Sequence, residues 1–385
     1  MAEGAGYIQQ KAQQRGVTCV ELWVTDLGGR ARAVSVPLVA LEAVLEDGLT
    51  VSASVVGGAP DDELVLVPDA HTFAVVGTVG RLLCDVQEVS GAPSPLCVRT
   101  VLKRQLGRAN GLGYTFYVGA TVEHRWLIGR EPLPVDGGSA SMLGRAATDV
   151  LESVQVPVRA FHPARGDASH QAFDLDWVDP LTLADALVTH RRVLREVATT
   201  HGRGVTFMPH PWTDAARNRL DLYVSLVEGG TASFSDALDP RGLSPAARTF
   251  GAWLEAEVPA LELVMKATVN SWTEADTPRV MASASGRGEG GASVLVRGAD
   301  ACANPYLVLA LVLGAGLASG RGAPPSVASP AATLVEAARA AAASSLTRDV
   351  LGVELLRVLV QRATDESRAW RRQVTAWELV KYLDM

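Results

Sequence analysis

Four ionisable side chains in the middle of the sequence could take part in acid–base chemistry: Glu123, His170, Asp221 and Tyr223. Histidine, carboxylates and tyrosine are the groups that most often move protons in active sites. A second interpretation combines two histidines with a carboxylate to hold a transition metal, and His162 would then join His170. Because scattered histidines are usually not metal ligands, we predict no metal site here.

One strand pattern would position Glu123. Residues 113–127 are predicted to form a long strand. Alternation along this strand places Thr121 and Glu123 on the same face. A lone inward glutamate is also typical of a satisfied buried carboxylate, so both interpretations of Glu123 stay open.

A long amphipathic helix is predicted over residues 181–200, with Gly202 just beyond its end. His190 and His201 fall on this helix or at its end. Neither histidine has a ligand partner four residues further along, so we interpret both as surface or capping residues.

The first hundred residues contain short strand candidates around one helix. The strands are predicted at residues 17–24, 33–36, 51–56 and 64–67, and the helix at 37–46. This arrangement suggests a β-grasp-like domain, although a generic α+β module fits the periodicity equally well.

Length and composition indicate a soluble globular protein with two or three domains. The chain has 385 residues, of which 48% are hydrophobic and 20% charged. Its net charge of -7, without a basic stripe, argues against nucleic acid as a partner. The longest apolar run, residues 307–318, is too short to cross a bilayer and predicts a buried helix. No secretory signal opens the sequence, so we expect a cytoplasmic protein without a membrane partner.

Short motifs along the whole chain resemble those of the glutamine synthetase family, in the same order. They are Leu64-Val65-Leu66-Val67-Pro68-Asp69, Thr206-Phe207-Met208-Pro209, Thr268-Val269-Asn270-Ser271-Trp272, Asn304-Pro305-Tyr306-Leu307 and Val374-Thr375-Ala376-Trp377-Glu378. The resemblance implies an α+β fold with a small N-terminal β-grasp-like domain, residues 1–98. Residues 99–385 would form a larger catalytic-type domain with a curved antiparallel sheet and helices.

The same resemblance implies how the chain assembles. Glutamine synthetases form rings in which one subunit's first domain and its neighbour's second domain share each site. We therefore expect a homo-oligomeric ring, with a dodecamer among the expected sizes, or a hetero-oligomer with an active relative.

The resemblance places the family's metal ligands on residues that are mostly unable to bind metal. One cluster of three glutamates falls at Glu123, Ala164 and Ala172, and the other cluster at Thr121, Leu295 and Asp221. Because alanine and leucine offer no lone pairs, we expect neither cluster to bind Mg²⁺ as in the family. Only residues 273–278 stand where the family carries its substrate-covering flap, which we interpret as a deletion.

The remaining polar side chains at the family's substrate positions are predicted to bind a small carboxylate-bearing or amino-acid-like ligand. They are Arg297, Asn270, Arg217, Arg219, Arg279, His162, His210 and Ser225. Arg297 suits bidentate recognition of a carboxylate, and its alternative role is a salt bridge with Asp300.

Three functions follow from this pattern. We favour a repurposed or catalytically inactive relative that binds a carboxylate-bearing molecule or serves as a partner subunit in a biosynthetic pathway. The second is a divergent ATP-dependent carboxylate–amine ligase in specialised metabolism, the one alternative that needs ATP and Mg²⁺. The third is a metal-free acid–base catalyst that uses His170, Tyr223 and Asp221.

Overall fold

The computed structural model describes residues 2–134, 138–165, 167–272, 279–283, 291–318, 322, 324, 326, 327 and 329–385. These residues form an α+β structure built on two sheets, which confirms the predicted fold class. The domain boundary at residue 98 stays a prediction.

A six-stranded sheet occupies the N-terminal part, and its strands run in the order β2-β1-β6-β4-β3, with β5 beside β6. The elements are α1 (Ala2–Gln14), β1 (Cys19–Thr25), β2 (Ala31–Pro37), α2 (Leu41–Asp47), β3 (Leu49–Ser52), β4 (Glu63–Pro68), β5 (Ala74–Val76) and β6 (Val79–Glu88). The predicted strand 51–56 is wrong beyond Ser52, because Ala53–Val55 is a 3-10 helix. The Ser52 hydroxyl accepts the Ser54 N–H there, at 3.3 Å.

The second sheet has nine strands, all paired antiparallel, and carries the side chains of interest. Its main order is β14-β15-β12-β7-β10-β9. The strands are β7 (Tyr114–Ile128), β8 (Glu131–Pro132), β9 (Val158–Pro163), β10 (His170–Val178), β11 (Gly204–Thr206), β12 (Arg219–Glu228), β13 (Thr231–Ala232), β14 (Arg279–Ser283) and β15 (Ser293–Asp300). The long predicted strand is β7, and it lies at the centre of the sheet.

Helices α3 (Val98–Gly111), α4 (Ser139–Ser153), α5 (Pro180–Thr200) and α6 (Pro245–Met265) pack against this sheet. Helices α7 (Pro305–Ala318), α8 (Leu334–Ala343), α9 (Ser345–Leu351) and α10 (Val353–Trp370) pack on other helices, and α11 (Ala376–Tyr382) has no buried residue. Asp179 caps α5 by accepting two backbone N–H groups, and Pro180 occupies the first turn. Every residue of α7 is buried, which confirms the prediction for residues 307–318. Within the described ranges, no helix has the length and hydrophobicity needed to span a membrane.

The interpretation of His190 as a surface or capping residue is wrong. Its ring is fully buried among aromatic rings, with centroids 4.9 Å from Phe173 and 5.9 Å from Phe207. Burial lowers the pKa of His190 to about 3, so this imidazole is a neutral core group. The capping interpretation holds for His201, whose Nδ1 lies 2.8 Å from the Val197 carbonyl at the end of α5.

Close packing of α7 on α6 depends on a glycine. A Cβ built on Gly316 would lie 1.7 Å from the Phe250 ring. We therefore expect Gly316→Ala to destabilise the protein by about 1–3 kcal/mol in urea denaturation, because the helices must separate. The matched control is Gly107→Ala in α3, where a Cβ meets no atom within 4 Å. It gains up to about 1 kcal/mol from helix propensity. Equal stability of the two variants would contradict this packing.

Candidate functional site

A cavity of about 750 Å³ lies on one face of the nine-stranded sheet, bounded by β7, β9, β10, β12 and β15. Six of the predicted site residues line it: Glu123, His162, Arg219, Asp221, Tyr223 and Arg297. The structure therefore brings half of the twelve predicted site residues together at one cavity.

Strand register explains why residues distant in sequence meet there. Side chains directly opposite each other in an antiparallel pair point to the same face. Asp221 on β12 and Asp174 on β10 both lie opposite Thr121 of β7, one from each side. Tyr223 pairs with Gly119 in the same way, and a Cβ at Gly119 would approach the Trp177 ring at 3.6 Å. The glycine thus leaves room for the Tyr223–Trp177 ring pair, whose centroids are 6.4 Å apart.

Glu123 is held by nitrogen donors on both of its oxygens. Oε2 accepts the Arg219 backbone N–H at 3.0 Å and lies 3.5 Å from His170 Nε2, while Oε1 lies 3.4 Å from Arg219 Nη2. Burial alone would raise the pKa of Glu123, but His170 and Arg219 outweigh it and hold that pKa below its ordinary value. Glu123 is therefore an ionised carboxylate that already has partners.

His170 faces the protein interior and does not line the cavity. Its side chain is 1% exposed, and its Nδ1 lies near the Arg165 carbonyl and 3.1 Å from Arg125 Nη2. The buried Arg125 also pairs with Asp167 and donates to the Ala216 carbonyl at 2.8 Å. His170 therefore reaches the cavity only through Glu123.

Asp221 pairs with Arg297 across β12 and β15. Arg297 Nε donates to Oδ2 at 3.0 Å, and the Gly298 N–H donates to Oδ1 at 3.2 Å. Burial raises the pKa of Asp221, and Arg297 and Arg219 offset only part of that rise. The alternative salt bridge between Arg297 and Asp300 is wrong, because Asp221 is the carboxylate that Arg297 contacts.

Asp174, a third carboxylate in the cavity, was missed in the sequence. Its Oδ1 accepts the Thr121 hydroxyl at 2.6 Å and lies 3.5 Å from His162 Nε2. Asp174 lies two residues after Ala172 on β10, so strand alternation places both on the same face. That spacing could have identified Asp174 from the sequence.

Comparisons with known proteins find glutamine synthetases. A sequence model described as "Glutamine synthetase, catalytic domain" matches residues 131–275. The glutamine synthetase of Mycobacterium bovis is 28% identical over 444 aligned positions, covering 98% of this chain and 99% of the relative. That of Thermotoga maritima is 26% identical over 435 positions, covering 98% of each. This chain is thus similar to glutamine synthetases over nearly its whole length.

Two solved structures have the same fold as this chain. "Apo GmaS without ligand" has a TM-score of 0.88 at 23% identity, and "GmaS/ADP complex-Conformation 1" has 0.87 at 22%. Each covers 98% of this chain and 99% of the other. The 444-position alignment exceeds the 385 residues here, so the M. bovis relative contains residues without a counterpart in this chain. Residues 273–278, which we interpret as a shortened flap, lie outside the described residues.

Two further arginines at the cavity were also missed. Arg159, on β9, and Arg165, just after it, line the cavity and are exposed. Within the described part of the chain, neither guanidinium has a carboxylate or hydrogen-bond partner. The available signal was their position on either side of His162, in the segment that already looked functional.

Five predicted substrate-binding or catalytic residues lie away from this cavity. His170 is one, as described above. Arg217 is another, because its buried guanidinium pairs with Asp300, which also accepts the Ser271 hydroxyl at 2.6 Å. We therefore no longer assign Arg217 to substrate binding.

The other three are held by local hydrogen bonds. The Asn270 side chain bonds the His210 backbone at 2.8 and 3.0 Å, and His210 itself is buried. The buried Ser225 donates to the Ala292 carbonyl at 3.3 Å. Arg279 is the remaining predicted residue. Its backbone pairs with Arg297 on β15, and the Arg279 side chain lies outside what the structure describes.

Proposed function

We propose that this glutamine-synthetase-like protein binds a small carboxylate-bearing molecule in the 750 Å³ cavity without a metal ion. It would be repurposed rather than a maker of glutamine by the metal–ATP route. The observation that carries the proposal is the pair of guanidinium groups, Arg159 and Arg165, that face the cavity without an anionic partner among the described residues.

Charge in the cavity favours an anion. Four arginines line it against three carboxylates, Glu123, Asp174 and Asp221. Each of these carboxylates already accepts hydrogen bonds from the protein, so none depends on a ligand to satisfy it. Arginine presents a planar fork that matches a carboxylate in two parallel hydrogen bonds. A ligand carboxylate could therefore bind between Arg159 and Arg165.

The residues present do not fit the family's magnesium clusters. Magnesium needs several oxygen ligands in octahedral geometry. Thr121, Ala164 and Ala172 line the cavity where the resemblance places three of the family's metal ligands, and Leu295 stands at a fourth. In the described part of the chain, no three His, Cys, Asp or Glu side chains lie close enough to share an ion. Glu123 and Asp221 are instead occupied by Arg219 and Arg297.

Two other functions remain as alternatives. Relatives named glutamine synthetase favour an ATP-dependent carboxylate–amine ligase, which would need ATP and Mg²⁺. Metal-free acid–base catalysis would use Tyr223 and Asp221 at the cavity, with His170 acting only through Glu123. Activity that persists in a chelator and disappears in Tyr223→Phe would favour this second alternative. Assembly into a ring, or with an active relative, stays a prediction.

Calorimetric titration with L-glutamate, with and without EDTA, tests the proposal together with an ADP-release assay. We expect the same affinity in both buffers, and no ADP release with glutamate, ATP, Mg²⁺ and a panel of amines. Glutamine, which lacks the side-chain carboxylate, is the matched control ligand and should bind more weakly. Mg²⁺-dependent ADP release that disappears in Glu123→Gln would contradict the proposal and support the ligase.

A further inference from the structure

A second cavity, of about 610 Å³, lies away from the first, between the N-terminal sheet and the helices. The loop between β1 and β2, helix α5, the segment 205–209 and helix α10 line it. None of its lining residues belongs to the first cavity. The proposed function does not involve this second cavity, and among the predicted site residues only Asn270 lines it.

Arginines dominate the wall of the second cavity. They are Arg30, Arg32, Arg191, Arg195 and Arg362, and the acidic residues are Asp26 and Glu366. Asp26 is already engaged, because it pairs with Arg32 at 2.8 Å and accepts the Arg30 backbone N–H at 3.0 Å. Glu366 accepts the Val269 backbone N–H at 2.9 Å. Among the described residues, the other four guanidinium groups have no carboxylate within ion-pair distance.

Arg191 is the most informative of these residues. It is only 3% exposed, and its Nη1 makes two long contacts, 3.4 Å to the Gly29 carbonyl and 3.5 Å to the Cys302 carbonyl. Its Nε and Nη2 have no hydrogen-bond partner within the described ranges. A buried guanidinium without a counter-ion is costly, and burial lowers the pKa of Arg191 accordingly. A bound anion would remove that cost.

Two of the arginines in the second cavity, Arg195 and Arg30, lie near each other. Burial lowers the pKa of Arg195, and the nearby Arg30 lowers it further. The two guanidinium groups therefore repel each other in the protein as it stands. An anion between them would turn this repulsion into attraction, and charge-assisted bonds to guanidinium are among the strongest hydrogen bonds in proteins.

We propose that this second cavity binds a compact anion with two or more negative charges, held by Arg191, Arg195, Arg30 and Arg362. The shared chemistry is a pair of oxyanion groups, supplied by a phosphate-bearing molecule or by a dicarboxylate. Because the anion would bridge the β1–β2 loop to α5 and α10, its binding should also raise the unfolding temperature.

This site can be tested by calorimetry and by thermal unfolding. The two probes are inorganic pyrophosphate and glutarate, at matched ionic strength. The measurements use the Arg159→Gln/Arg165→Gln protein, so that the first cavity does not contribute. We expect one probe to bind and stabilise the protein, and the better probe identifies the phosphate or dicarboxylate class. Failure of both probes to bind would overturn this site and leave the first cavity's function untouched.

Two sets of variants in that protein locate the site. Arg195→Gln/Arg362→Gln removes two of the four guanidinium groups and should weaken binding at least tenfold, whereas Arg192→Gln, on the same helix but outside the cavity, should not. Arg191→Met should abolish the ligand-induced shift while leaving the unliganded protein as stable as before or more so. A merely structural Arg191 would instead lower the unliganded stability. Unchanged binding in Arg195→Gln/Arg362→Gln would contradict the site even if Arg191→Met does not fold.

Discussion

Replacing Arg159 and Arg165 together by glutamine is expected to weaken binding of L-glutamate in EDTA about 100-fold. Each arginine supplies a charge-assisted hydrogen bond, and a tenfold loss of affinity corresponds to about 1.4 kcal/mol. Both side chains are exposed and make no polar contact with other described residues, so the fold should be unaffected. Calorimetric titration of each single variant and of the double variant measures the effect.

The matched control for this pair is Arg371→Gln/Arg372→Gln. These two exposed arginines follow α10 and lie outside the cavity, and the control changes the net charge by the same amount. If it weakened glutamate binding as much as the cavity pair did, the attraction would come from the overall charge rather than from a site.

Loss of the Asp300 carboxylate should cause the largest change in stability. Asp300 is fully buried, pairs with Arg217 and accepts the Ser271 hydroxyl. Burial raises the pKa of Asp300, which Arg217 and Ser271 counteract. Breaking such a pair on one side costs about 3–5 kcal/mol, because the other charge loses its buried counter-ion. We therefore expect Asp300→Ala to lower the free energy of unfolding by that amount in urea denaturation.

Two controls identify burial as the cause. Asp365→Ala breaks an exposed pair with Arg368 at 2.9 Å and should cost less than about 1 kcal/mol. Arg217→Met combined with Asp300→Leu replaces both charges by apolar groups and should recover much of the stability. A loss of under 1 kcal/mol for Asp300→Ala alone would show that this pair is not a buried network.

Part of the site could be predicted because strand alternation determines it. Once residues 113–127 were assigned to a strand, Thr121 and Glu123 had to share a face. Asp221 and Tyr223 were assigned to the same site only through the resemblance of their motif. The buried helix α7 was equally predictable, since its apolar run has no polar face.

Side-chain partners could not be predicted in the same way. Arg297 lies three residues before Asp300 on β15, so proximity in sequence favoured a pair between them. The pairing of β12 with β15 is irregular between Leu220 and Leu222, however, and Asp221 at that irregularity contacts Arg297 instead. Asp300 pairs with Arg217 through a contact that joins residues 83 positions apart.

The burial of individual polar residues could not be predicted from the sequence either. His190 fits the polar side of a helical pattern, but α5 is covered on that side too, by Phe173 and Phe207. His170 looked like a cavity residue, but Arg125 and the Arg165 carbonyl hold its ring inside the protein. Apart from the Arg165 carbonyl, the groups that surround the two rings come from distant parts of the sequence.

Crystals soaked with ADP and Mn²⁺, with anomalous data collected at the manganese edge, would reveal any metal ion in the cavity. We predict no ordered manganese between nucleotide and protein, because Glu123 and Asp221 keep their contacts with Arg219 and Arg297. Two strong anomalous peaks that bridge the nucleotide phosphates to Glu123 and Asp221, with those contacts broken, would contradict it.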